Sequence, residues 1–314
     1  QQHPTGGDGL QQYHFSMQTV PFCGRTEELA ALKEFVYQDR SFSWWAVTGQ
    51  AGAGKSRLAL ELLRQLPAPW VGFFLNDNCS EKDVESFNPF SNTVVVIDYV
   101  AGRERTVANI LHAIQEPFAG TAYHLRILLL ERENTRNSAS WYGKLLQRYG
   151  RYDVGELKAQ EYTAAFLNIG GLDAKAVSDF IGKVCKLRGY DVPEKLQNEL
   201  LQEYAKKKEL LQFRPLFVQI FVEAWLDNNF IMPKYDRFED LLQMVMEREQ
   251  QRWLEIVEGD QECCNALVRL LLRANISGKL SGNDIPAYYQ ADWKCVEKLW
   301  KKYAFPGRQQ EEQR

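Results

Sequence analysis

An apolar run, a glycine-rich turn and an amphipathic helix follow one another between residues 43 and 66, an order that few folds can accommodate. Ser43–Trp44–Trp45–Ala46–Val47 reads as a buried strand. Gly49, Gln50, Ala51, Gly52, Ala53, Gly54, Lys55 and Ser56 then spell G-x-x-x-x-G-K-S. After Arg57 a helix carries Leu58, Leu60, Leu62, Leu63 and Leu66 before Pro67 stops it. Strand, glycine turn and helix in this order are the setting of a phosphate-binding P-loop. Several backbone N–H groups between Gly49 and Arg57 must turn toward one anion, which demands glycine dihedrals and no Cβ in the way. The helix adds its positive N-terminal end. The spacing predicts that Lys55 reaches the β- and γ-phosphates and that the Ser56 hydroxyl ligates Mg²⁺, so a nucleotide with Mg²⁺ is expected. A Gly/Ala-rich turn matching by chance is the alternative.

Val94–Val95–Val96–Ile97–Asp98 supplies the second half of such a site. An acid just past a strand that is apolar on both faces stands at the carboxyl edge of a covered parallel sheet, where ligands of open α/β folds bind. Asp98 is the second metal candidate. Further strands are predicted at Trp70–Leu75 and Leu125–Leu130, with a weaker fifth at Tyr152–Leu157. A helix begins near Thr26, read as its N-cap, and another lies around Arg105–Gln115. The fold class is therefore α/β: a P-loop NTPase parallel sheet with helices on both faces.

From about residue 160 helices take over, expected at 163–167, 174–187, 193–207, 215–228, 237–257 and 261–274. Residues 275–303 suit a small helical or winged-helix-like unit. The implied organisation is a lead-in at 1–19, a nucleotide-binding domain at 20–160, a helical lid at 161–230 and a helical or winged-helix-like domain at 231–314.

The wording around these motifs resembles the STAND group of signal-transducing P-loop NTPases, relatives of AAA+ proteins, over about residues 20–230. Phe22–Cys23–Gly24–Arg25–Thr26–Glu27–Glu28–Leu29 is similar to the group's lead-in motif, which implies that Gly24 and Arg25 lie beside the adenine. Asp98–Tyr99 with Arg103 resembles the Walker B segment of a bacterial, antiviral-type subgroup. Leu128–Leu129–Leu130–Glu131–Arg132, with Ser140–Trp141–Tyr142 beyond it, resembles the sensor strand, implying that Arg132 lies near the γ-phosphate. Phe213–Arg214–Pro215–Leu216–Phe217 is similar to the lid's Gly-x-Pro-Leu segment, whose proline touches the adenine.

The resemblance thus implies catalytic roles for Lys55, Asp98 and Arg132. Two positions depart from it: Ala101 stands where the subgroup often has Glu, and Phe213 replaces the glycine. Without the acid, hydrolysis is expected to be weak or absent unless Glu131 or Glu104 substitutes. Plainer readings stand beside these: Arg132 and Arg25 as surface or helix-start arginines, Pro215 as a first-turn helix proline, and Trp44 and Trp45 as sheet packing.

Net charge of −3 across 314 residues makes a broad nucleic-acid or membrane-surface binder unexpected. No apolar run approaches the roughly 20 residues that span a bilayer. Six scattered cysteines without C-x-x-C and only four histidines suggest neither zinc nor a disulfide framework, which points to the cytoplasm. The chain begins with Gln rather than Met, and a piece of a longer protein is expected.

As the resemblance implies, the cofactors would be ATP or ADP with Mg²⁺, and the module would be a nucleotide-controlled switch that self-oligomerises, in bacteria often for defence against phage. Its protein trigger and effector domain would lie outside this sequence. The rivals are an AAA+-like motor or loader acting on protein or DNA, and a DNA-binding regulator using Lys298, Lys301 and Lys302. The lysine-rich segment from Trp293 to Tyr303 reads more simply as an amphipathic helix docked on a core, so DNA is not the expected partner.

Overall fold

The computed structural model describes residues 20–76, 79–147, 154–206, 213–231, 259–277 and 290–304, with isolated positions between 240 and 257. It divides into two compact units, residues 1–238 and 239–314. In chain order the first unit runs α1 (Thr26–Tyr37), β1 (Phe42–Thr48), α2 (Lys55–Arg64), β2 (Trp70–Phe74), α3 (Glu81–Glu85), β3 (Asn92–Asp98) and α4 (Glu104–Ala113). It continues through β4 (Leu125–Glu131), α5 (Trp141–Leu145), α6 (Val154–Ala159), β5 (Leu167–Asn168), α7 (Ala174–Leu187), α8 (Glu194–Lys206) and α9 (Pro215–Asp227). The second contains α10 (Gln261–Ser277) and α11 (Gln290–Ala304).

The five strands form one parallel sheet in the order β2-β3-β4-β1-β5. Alternation along the strands explains its two covered faces. Trp44, Ala46, Val95, Ile97, Ile127 and Leu129 point to one side, against Val107, Ile110 and Leu111 of α4 and Trp141 of α5. Trp45, Val47, Val94, Val96, Leu128 and Leu130 point to the other, against Leu32 and Phe35 of α1 and Leu58 and Leu62 of α2. Each aliphatic side chain so buried contributes about 1.5–3 kcal/mol. Both indoles on β1 find acceptors, Trp44 Nε1 at Leu157 O (2.7 Å) and Trp45 Nε1 at Ala165 O (2.8 Å), so these tryptophans pack the sheet.

β4 holds an unusual core residue. Arg126 is fully buried and donates from Nε to Val36 O (3.0 Å), from Nη2 to Gln38 O (2.6 Å) and from Nη1 to Leu125 O (3.0 Å). It thereby satisfies the carbonyls that the end of α1 leaves open. Burial pulls its guanidinium down to about 10, still a cation at neutral pH.

Three local expectations are corrected. Residues 154–159 form helix α6, not a strand: Leu157 is buried between exposed neighbours, a one-per-turn pattern. The fifth strand is instead the short β5 at Leu167–Asn168, inside a stretch expected to be helical. There the main chain bonds the free edge of β1, with Tyr162 N donating to Trp44 O (2.8 Å) and Ile169 N to Thr48 O (2.8 Å). Thr26 is the first residue of α1, not its cap; Arg25 occupies that position in a left-handed conformation (φ 62°).

The expected helices at 174–187, 193–207 and 215–228 form as α7, α8 and α9. In the second unit Val296 of α11 is buried with Cys263, Cys264, Ala266 and Leu270, and Trp293 packs against them. The lead-in at 1–19, most of the helix expected at 237–257 and the segment 278–289 lie outside the described residues. Among the described residues no helix is long and apolar enough to cross a membrane.

Candidate functional site

β1 ends in Thr48, and the chain turns through Gly49–Gly54 into α2. Gly52 (φ 77°) and Gly54 (φ 96°) adopt left-handed conformations that need glycine, and Gly54 caps α2. The first turn of α2, whose leading amides have no acceptor within the helix itself, lines a cleft of about 400 Å³ at the carboxyl edge of the sheet. Its walls include Arg25, residues 51–57, Asp98, Arg132 and Pro215.

At the polar end, Ser56 Oγ donates to Asp98 Oδ2 at 2.6 Å. Lys55 Nζ folds back on its own loop, donating to Gly49 O (2.6 Å) and Gln50 O (3.3 Å). Burial draws the Lys55 ammonium below the ordinary lysine value, while Asp98 partly restores it. A hydroxyl and a carboxylate oxygen in direct contact, beside an ammonium and a row of amides, are a hard-oxygen donor set of the kind Mg²⁺ takes when it accompanies phosphates. The residues present fit both groups.

Arg132 follows β4 and crosses the ring of Tyr99, its guanidinium carbon 5.3 Å from the ring centroid. The contact with the Tyr99 hydroxyl, first among several favourable interactions, holds its pKa above the ordinary arginine value. Glu131 is buried and committed. Oε2 accepts from the amides of Val100 (3.0 Å) and Ala101 (2.7 Å), and Oε1 from that of Arg132 (2.6 Å). Glu131 and Glu104 do not line the cleft, and Asp98 is the one carboxylate among the residues that do.

The helical segment closes the cleft. Arg214 Nη1 donates to Ala51 O (2.9 Å), Leu216 N to Gly52 O (3.4 Å), and a Cβ on Gly54 would sit 3.8 Å from Pro215. Pro215 is the first residue of α9 and also lines the cleft, so both readings of it hold. Phe213 keeps a left-handed φ of 52°, the conformation a glycine would favour there.

Not every expected residue faces the cleft. Gly49 does not: its amide continues the ladder to Glu131 O (3.2 Å), and a Cβ would meet Ile169 O at 2.4 Å. Gln50 also stands aside, its carbonyl accepting from Ala53 N (3.2 Å). Gly24 packs on Ala176 and Leu172 of the helical segment. Arg25 and Arg57 do line the cleft, but Arg25 bonds protein there, with Nη1 on Glu28 (2.7 Å) and Nη2 on Ala53 O (3.1 Å) and Gly170 O. Arg57 lies 5.8 Å from the Phe22 ring centroid and is paired loosely with Glu61 at 3.8 Å.

The sequence reading missed Leu172, Phe180 and Gln219, which also line the cleft. Gln219 left a signal, a polar residue inside the apolar run Leu216–Phe217–Val218–Gln219–Ile220–Phe221. The carboxyl-edge cleft, the glycine turn and the strand order decide the architecture. This is a P-loop α/β fold.

No family model and no curated protein matches the chain. Solved structures similar to it include a Walker-type ATPase of Pyrococcus abyssi, at 16% identity over 88% of this chain and 90% of that one, TM-score 0.42. The Thermotoga maritima RuvB Holliday junction branch migration motor gives 13%, 94% and 97%, with TM-score 0.45. Domain III of the Thermotoga maritima replication initiation protein DnaA gives 13%, 73% and 94%, with TM-score 0.42. At TM-scores below 0.5 these likenesses decide nothing about function.

Proposed function

We propose that the chain is the ATP- or ADP-binding switch module of a STAND-type regulatory protein. Residues 20–160 hold the nucleotide, 161–230 act as lid, and 231–314 form a further helical unit. The observation that carries the reading is the attachment of the lid to the phosphate loop itself: Arg214 and Leu216 bond the carbonyls of Ala51 and Gly52. Nucleotide that reshapes the loop thereby biases the lid, and a trigger that moves the lid biases nucleotide release.

Within the site, Lys55 and the amides of residues 52–57 hold the phosphates, and Arg132 approaches from the β4 edge. Ser56 and Asp98 would hold Mg²⁺, which would supply charge neutralisation to the phosphates. With Glu131 committed to main-chain amides and Ala101 without a carboxylate, Asp98 is the one carboxylate among the described residues that line the cleft, and with Asp98 given to the metal the expected hydrolysis is slow. Retention without rapid turnover suits a switch, with self-oligomerisation and effector activation following lid movement.

The test is to identify nucleotide retained by the purified protein and repeat the measurement with Lys55→Ala. Adenine nucleotide near one equivalent in the wild type and little in the variant is the expected result. A wild type that neither retains nor binds ATP or ADP with Mg²⁺ overturns the reading. Brisk, partner-stimulated hydrolysis would replace the switch with a motor.

A further inference from the structure

Within the apolar helix α9, two polar side chains one turn apart are buried: Gln219 at 7% exposure and Glu223 at 3%. Burying them there is unfavourable unless they are partnered. Gln219 Nε2 donates to Glu223 Oε1 at 3.0 Å, and Glu223 Oε2 is paired with Arg188 Nη2, at the end of α7, at 3.1 Å. An ionised carboxylate only accepts, so the amide cannot turn round: its NH₂ stays on Glu223 and its carbonyl Oε1 is the atom left to present elsewhere. Gln219 lines the cleft, one turn along α9 from Pro215. Leu172, Phe180, Phe22 and Pro215 give the same cleft apolar surface suited to the flat face of a base.

We propose, resting on the nucleotide reading above, that Gln219 selects the base: its Oε1 accepts a hydrogen bond from the exocyclic amino group at position 6 of adenine. Glu223 and Arg188 are positioning residues that fix which end of the amide faces the ring. A purine with an oxo group at position 6 sets two acceptors against each other and leaves both unpaired, which is how a built polar contact rejects a near-isostere.

The experiment measures binding of Mg-ATP and Mg-ITP, whose bases differ at position 6 and the adjoining ring nitrogen, to the full chain. The wild type is expected to prefer ATP by roughly ten- to a hundredfold. Gln219→Met, which keeps length without the carbonyl, weakens ATP to the ITP level and leaves ITP within about twofold, so ITP affinity also reports an intact cleft. Glu223→Gln supplies a donor where there was only an acceptor, frees the amide to flip and gives an intermediate ratio.

Equal affinities in the wild type, an unchanged ratio in Gln219→Met, or equal loss of both ligands in that variant overturns the proposal. Failure of the wild type to bind either nucleotide is a separate outcome: it removes the nucleotide reading and this inference with it.

Discussion

Ser56 Oγ meets Asp98 Oδ2 at 2.6 Å, although 42 positions separate them in the chain and the whole of β4 lies between their strands. The pairing needs only the sheet: α2 starts just beyond β1, Asp98 ends β3, and both termini reach the same edge. If that pair is the metal seat, Asp98→Asn should abolish the gain in nucleotide affinity that Mg²⁺ provides while leaving metal-free binding within about twofold. Titration calorimetry with and without Mg²⁺ reads this directly. A variant that keeps the full Mg²⁺ gain would remove Asp98 from the metal.

Lys55 carries a pH signature. Burial disfavours its charge in the free protein, so the neutral amine forms at a lower pH than the ordinary lysine value of 10.5. Phosphate favours the ammonium, so nucleotide affinity should begin to fall as pH rises while still below 10.5, with proton uptake on binding. Lys55→Ala should bind at least tenfold more weakly and lose that pH dependence. Calorimetry in buffers of different ionisation enthalpy measures the uptake.

Cys23 borders the cleft, and burial raises its thiol above the ordinary 9.0. Alkylation by iodoacetamide should therefore keep accelerating above pH 9.0 and be suppressed by saturating Mg-ATP. Peptide mass spectrometry follows the site, and labelling indifferent to nucleotide would place the ligand away from residues 20–23.

Much of this was readable in advance where a local pattern coincides with its structural cause. The glycine turn, the double-sided apolar strands and Asp98 each announce themselves within ten residues. The region 152–168 did not. Its strand is two residues long, and its extended shape comes from bonding to β1, more than a hundred residues earlier. Gly49 and Arg25 fit their motifs but spend their contacts on protein, a matter of orientation that spacing does not encode. Gln219 became visible as a cleft residue only once α9 was docked on the loop.

Arg126 makes a stability prediction. Arg126→Leu leaves the buried carbonyl of Val36 and the half-buried one of Gln38 without its donors and should lower unfolding free energy by about 2–4 kcal/mol, with an unchanged denaturant slope. Lysine cannot reproduce the planar fork and should recover only part of the loss. Equilibrium urea unfolding compares the three proteins.

The carboxylate of Glu131 joins the amides of Val100, Ala101 and Arg132 through one buried group. The bends after β3 and β4 are thereby welded into a single shelf. If Arg132 and Asp98 hold the ligand's tail and its metal as proposed, this shared shelf should make the two contacts tighten and loosen together.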